Sequence, residues 1–176
     1  MTPQRHRSAT ETQKFFRRGS LCLCGFLWFC GVGVVEAALE FSTDHRPVAF
    51  GMMRLGEEKI LAQSGTSHNQ ITCSSTDGQA WYLKVNVLQP LSSGAETIPL
   101  EQFQWWLTST NGHGSEAHPN AFTPFSLMPD TVYLSSPDEV SGTSVTFQLR
   151  YQLKIPEHQV SGVYSTTIRF TLTELL

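Results

Sequence analysis

Residues 145–155 read VTFQLRYQLKI. Val145, Phe147, Leu149, Tyr151, Leu153 and Ile155 are apolar, and Thr146, Gln148, Arg150, Gln152 and Lys154 between them are polar. A period of two is the mark of a strand with one face in a core and the other in water. On a helix the same apolar side chains would scatter around the circumference. The stretch therefore needs a second apolar layer over its odd-numbered residues, and the rest of the chain must supply it.

Several other segments carry the same pattern. VYSTTIRFTLTE, 163–174, places Tyr164, Thr166, Ile168, Phe170 and Leu172 on one face. Pro156 and Gly162 lie in the connector PEHQVSG and break pairing there, so 145–155 and 164–173 are expected to be neighbouring antiparallel strands. In QAWYLKVNVLQP, Trp81, Leu83, Val85 and Val87 share one face and Tyr82, Lys84 and Asn86 the other. The turn pair Asp77-Gly78 precedes it and HNQITCSS precedes the turn, so residues 68–88 read as a hairpin. EQFQWWLTST aligns Phe103, Trp105 and Leu107; ALEFS, VAFGMMRL, KILAQ and DTVYLSS are shorter candidates. No apolar pattern of period 3.6 lasts three turns, and the nearest, LGEEKILAQ, lies between Gly56 and Gly65. Eight or nine short strands predict an all-β fold, a two-sheet antiparallel β-sandwich of immunoglobulin-like or pilin-like form, in one domain over 38–176.

Residues 1–37 follow different rules. Arg5, Arg7, Lys14, Arg17 and Arg18 make residues 1–20 basic, and LCLCGFLWFCGVGVV, 21–35, carries no charge. These are the parts of a secretory signal peptide, with Val35 and Ala37 suited to cleavage before Ala38. An uncleaved anchor is the alternative, although the run is short for a span of roughly 20 apolar residues. The expected product is secreted, periplasmic or held at the cell surface, with no membrane attachment after cleavage. Five of the 12 basic residues and two of the 15 acids leave with the leader, so the mature chain has a formal charge of −6. That balance disfavours nucleic acid as a partner. Cys22, Cys24 and Cys30 also leave, and Cys73 stays alone. Without an internal disulfide the core must supply the stability. Cys73 alternates with Ile71 and reads as a buried side chain, with an intermolecular disulfide as the alternative.

A search for chemistry finds little. His113, Glu116 and His118 in HGSEAH hold ligand atoms within six residues, but a Gly-rich loop does not impose the converging geometry a metal needs. His45, His68 and His158 are scattered. No serine sits in a Gly-x-Ser-x-Gly elbow, and the acid pairs Glu57-Glu58 and Asp138-Glu139 read as solvated. The expectation is a protein that is not an enzyme and takes no cofactor or metal. Aromatic residues offer more. Alternation turns Trp106 to the outer face, with Gln102 and Gln104, and Tyr82 away from Trp81. The Gly-, Pro- and Asn-rich stretch 110–130 is expected to be a long loop with at most one turn of helix, placed where binding loops often lie. Trp106, Tyr82, His113 and His118 are the candidate contacts for a glycan or partner protein.

IPEHQVSGVYSTTIRFTLTE resembles the closing strand of secreted bacterial β-sandwich proteins of the spore-coat U and fimbrial-subunit type, with Gly162 and Tyr164 in the Gly-x-Tyr positions. FGMMRLG…ITCSSTDGQAWYLKV is similar to their first half, with Phe50, Gly51 and Cys73 matching; those families usually pair that cysteine with a second one, absent from the mature chain. WYL at 81–83 and the closing strand more faintly resemble the WxL cell-wall-binding domain. The resemblance implies an exported, non-catalytic structural or adhesive surface protein, pilin-like or coat-like, whose partner is an envelope component, a glycan or other subunits. A carbohydrate-binding module using the exposed aromatics is the alternative.

Overall fold

A computed structural model of the protein describes residues 39–44, 47–61 and 70–174. The expected leader over 1–37, with its three cysteines, and His45 and His68 lie outside these residues. The described chain is all-β. Its strands are β1 (Leu39–Thr43), β2 (Glu58–Leu61), β3 (Gln70–Ser75), β4 (Tyr82–Val87), β5 (Leu91–Ser93) and β6 (Glu96–Ile98). β7 (Phe103–Thr110), β8 (Ser115–Glu116), β9 (Thr123–Pro124), β10 (Asp130–Leu134), β11 (Val145–Lys154) and β12 (Ile168–Thr173) follow. Only two short 3-10 turns, Leu100–Gln102 and Pro137–Glu139, interrupt them.

Two antiparallel sheets dominate, and neither closes into a barrel. One runs β1-β3-β11-β7-β9, with β2 also on β11; the other runs β12-β4-β10-β8; β5 and β6 form a small ribbon. β11 organises the first sheet because its ten residues are long enough to serve three partners. β7 takes one edge from Phe147 to Leu153, so β3 (at 145–148) and β2 (at 151–154) share the other. Its odd residues from Val145 to Leu153 are buried, as the alternation requires. Leu83, Val85 and Val87 of β4 and Phe103, Trp105 and Leu107 of β7 are buried in the same core. Aromatic rings join the two layers. Trp81 lies 6.2 Å from Phe147 and Tyr133 lies 4.9 Å from it, edge to face. Such contacts add about 0.5–1.5 kcal/mol each beyond area burial. The arrangement fits a two-sheet sandwich.

Two pairings differ from the sequence expectation. The strands of 145–155 and 164–173 are not neighbours: β11 lies in the first sheet, and β12 pairs with β4 in the second, from Ile168↔Val87 to Thr173↔Tyr82. Residues 68–88 are not a hairpin either. β3 pairs with β1 and β11, β4 with β10 and β12, and the Asp77-Gly78 turn carries the chain from one sheet to the other. Gly78 does adopt a positive φ of 77°, and Asp77 Oδ1 accepts hydrogen bonds from Ser75 Oγ and the Gln79 amide. The turn is then fixed to distant chain, because the Gly78 amide donates to Val140 O and the Trp81 amide to Ser135 Oγ.

Three local readings also change. VAFGMMRL forms no strand, although Val48, Phe50 and Met53 pack on the core. KILAQ does contribute β2. Stretch 110–130 is built into both sheets: β8 pairs with β10, β9 with β7, Phe125 is buried, and no helical turn occurs.

Cys73 faces the core opposite Val145 and is fully buried, and that burial pushes its thiol up to about 12. The thiolate is the reactive form. Native protein at pH 8 is therefore expected to leave Cys73 unmodified by a maleimide over the hours in which unfolded protein labels completely. Rapid labelling without denaturant would contradict the packing at β3.

Candidate functional site

A concavity opens where two stretches of irregular chain face one another. Residues 47–55 form one wall, and 159–167, leading into β12, form the other. Ile98, Phe103, Leu153 and Ile155 lie between them, and the groove encloses about 1170 Å³. Both walls are irregular for reasons visible in the chain. Gly51 and Gly56 have positive φ values of 72° and 74°, which turn the backbone out of an extended path. Glu57 anchors the end of the first wall, its carboxylate accepting the Arg54 amide at 2.7 Å. In the second wall the Tyr164 hydroxyl donates to Val160 O and accepts from Gln159 Nε2, both at 2.7 Å. A paired bridge between Ser92 and Ser165 fastens that wall to β5.

The groove is oily at its rim as well as its floor. Met52 and Val163 are 98% and 88% exposed, and Leu55 and Val160 are more than half exposed. Single exposed apolar residues need no explanation, but four around one depression make a contiguous exposed apolar patch. Among the described residues, Arg54 is the one charged residue lining it.

The sequence-derived candidates are spread over the molecule. Trp106 lies on the outer face of the first sheet, half-buried, with Phe122 edge-on at 5.5 Å and the Arg150 guanidinium 5.9 Å from its ring centroid. Tyr82 lies on the outer face of the second sheet, with Lys84 Nζ 5.8 Å from its ring. The two aromatics therefore do not share a binding face. His113 is exposed and pairs with Asp138 at 2.9 Å, a contact that raises its pKa first by the hydrogen bond and then by the carboxylate's charge. His118 pairs with Asp130 at 3.0 Å and stands edge-on to Trp105. The two imidazoles thus go to different partners, and among the described residues no three His, Cys, Asp or Glu side chains gather as a metal site would.

A polar cluster that sequence reasoning missed sits at the other end of β11. Glu139, read as solvated, is 2% exposed. Its carboxylate accepts the Tyr133 hydroxyl at 2.8 and 3.0 Å, the His113 amide at 2.5 Å and the Ser136 amide at 2.7 Å. Burial alone would push this carboxyl up, and those donors outweigh it, so its pKa lies below the ordinary value. The same burial, followed by the bond to Glu139, raises the Tyr133 phenol. Asp138 beside it is held at about 2 by the Ser136 hydroxyl and then by His113. With both carboxylate oxygens engaged by the protein's own donors, the cluster is a fastening. It holds the 111–114 loop against the 137–139 turn. Ser-Pro-Asp-Glu, a helix-start pattern with an acid three residues after a serine, was the available signal.

Comparison with family models, curated proteins and solved structures found no match for this chain.

Proposed function

We propose that the protein is an exported, non-catalytic structural or adhesive component of the cell surface, pilin-like or coat-like in its use of an immunoglobulin-like sandwich. The single observation that carries this reading is the apolar groove between 47–55 and 159–167. Its aliphatic rim of Met52, Leu55, Val160 and Val163 suits a binding partner better than a reaction, since the described residues lining it offer no nucleophile beside a base. The basic and apolar character of residues 1–35 supports export, and the short resemblances around Phe50-Gly51, Cys73 and Gly162-x-Tyr164 support the surface-protein class. No described helix is long and apolar enough to cross a membrane.

Fractionating bacteria that produce the full chain tests this. The expected result is protein outside the cytoplasm, beginning at Ala38 and sedimenting with the envelope. The Met52→Asp/Val163→Asp double variant is expected to be exported but released from the envelope. Cytoplasmic retention with an intact leader, or equal envelope association of the double variant, overturns the reading. Glycan binding is the second reading, now confined to the outer face around Trp106, where Gln104, Gln152 and Arg150 surround the indole.

A further inference from the structure

Both walls of the groove carry main-chain groups that the fold leaves open. Among the described residues, the amides of Val48–Met53 on one wall and Val160–Tyr164 on the other have no hydrogen-bonding partner. The carbonyls engaged there are few: Lys59 Nζ donates to Phe50 O, and the Tyr164 hydroxyl to Val160 O. Main-chain donors and acceptors in a folded domain are nearly all satisfied, by the protein or by water. Here two runs of them border a depression whose floor and rim are apolar. A hydrocarbon chain would use the apolar surface and leave those groups facing it unmatched. An extended polypeptide uses both, giving main-chain hydrogen bonds to a wall and alternate side chains to the floor.

The site also has a sign. Arg54 is exposed on the first wall, and its guanidinium has no acidic partner among the described residues; Glu57 bonds the Arg54 amide instead. A ligand that buries the groove next to an unpaired cation is favoured when it brings a carboxylate, because the planar guanidinium binds one through two parallel bonds.

We propose that the groove binds a segment of another protein in extended form, with alternate apolar residues facing the half-buried Phe50, Ile155 and Phe170 and a carboxylate placed to meet Arg54. This deepens the proposed function and rests on its reading of the groove as a partner site. The sandwich core is already filled without the segment: Leu83, Val85, Phe147 and Leu149 are all buried. The occupant is therefore a ligand of a finished domain and not a strand the domain needs in order to fold.

Titration of the full chain with eight-residue synthetic peptides tests this by fluorescence anisotropy. The parent peptide alternates Val or Ile with Thr and carries one Asp near an end; its companions replace Asp by Asn, shuffle the order, or methylate alternate backbone nitrogens. Saturable binding of the parent is expected, with a loss of about tenfold or more on N-methylation, because each blocked nitrogen removes a main-chain bond at a desolvated edge. The Arg54→Ala protein is expected to bind the Asp peptide roughly fivefold or more weakly and the Asn peptide unchanged. Val163→Asp is expected to abolish binding while leaving the unfolding transition in place, since that side chain is almost fully in water. Absence of saturation by every peptide, equal binding of the methylated or shuffled forms, or indifference to Arg54 overturns the proposal. Saturable uptake of laurate in place of any peptide overturns it too, in favour of an amphiphile. In all these cases envelope association that depends on Met52 and Val163 would still stand, so failure of the peptide inference is distinguishable from failure of the surface role.

Discussion

The Gly112→Ala variant is expected to be less stable than the parent by roughly 3 kcal/mol or more, measured by urea unfolding at pH 7. A methyl group built at this position falls 2.1 Å from the Tyr133 hydroxyl oxygen, 2.7 Å from Val145 Cγ1 and 2.8 Å from Glu139 Oε1. None of these atoms has room to retreat. Tyr133 is fully buried between Trp81 and Phe147, Val145 opens β11, and Glu139 is held by two backbone amides. The loop would have to lift, and lifting it strips the His113 amide from Glu139 and the Gly114 amide from the Tyr133 hydroxyl. Overpacking and lost buried hydrogen bonds therefore add. The Gly94→Ala variant serves as the control: nothing lies within 4 Å of its added methyl, and only the positive φ of 62° is strained. A Gly112→Ala protein as stable as this control would mean that the loop does not pack on Tyr133 as described.

Alternation made the faces of the strands legible and left their partners open. In β11 every apolar odd residue from 145 to 153 is buried. Trp81, just before β4, and Leu83, Val85 and Val87 within it turned inward as the pattern required. A dyad states which side of a strand meets the core, and in a sandwich both sheets meet the same core. Val145–Lys154 and Ile168–Thr173 carry the same periodicity whether they lie side by side or in opposite layers. The short connector PEHQVSG suggested the first arrangement, but its continuation to 167 gives enough chain to cross to the second sheet. Asp77-Gly78 misled in the same way, since a positive φ is needed equally by a hairpin and by a corner between sheets. β10 shows a further limit. Val132 and Tyr133 are consecutive and both buried, because a bulge in the pairing with β4 between Thr131 and Tyr133 breaks the alternation.

The groove was less legible than the sheets for a physical reason. Its walls are runs without periodicity, and sequence patterns report regular elements. VAFGMMRL looked like a strand because Val48, Phe50 and Met53 are apolar, and they do pack inward, but the positive φ at Gly51 prevents an unbroken ladder. Exposed aromatics drew attention to Trp106 and Tyr82, whereas the side chains that stand furthest into solvent at the groove are aliphatic. Their exposure follows from where the chain leaves the sheets, which depends on the pairing that alternation does not determine.

The Glu139→Gln variant is expected to lose about 2–4 kcal/mol at neutral pH, because either orientation of the amide sets a donor against a donor. With its nitrogen at the Oε1 position it meets the His113 amide; with its nitrogen at Oε2 it meets the Ser136 amide. Side-chain volume barely changes, so the loss measures hydrogen bonding and not packing. The pH dependence checks the cause. Glu139 titrates below its ordinary value in the folded protein, so its contribution is fully present above the unfolded carboxyl pKa of about 4.3 and is lost as pH falls through the lower folded value. The gap in unfolding free energy between parent and Glu139→Gln is therefore expected to be large at pH 6 by urea titration. It is expected to shrink only slightly by pH 8, as His113, whose pKa the Glu139 charge helps Asp138 to raise, loses its proton. It is expected to narrow below about pH 4, where the parent must take up a proton that the variant cannot. Asp138, also depressed, remains in both proteins and cancels from the difference. A gap that stays the same down to acid unfolding would show that the carboxylate charge contributes nothing to fastening the loop, and a gap absent at neutral pH would place Glu139 in water.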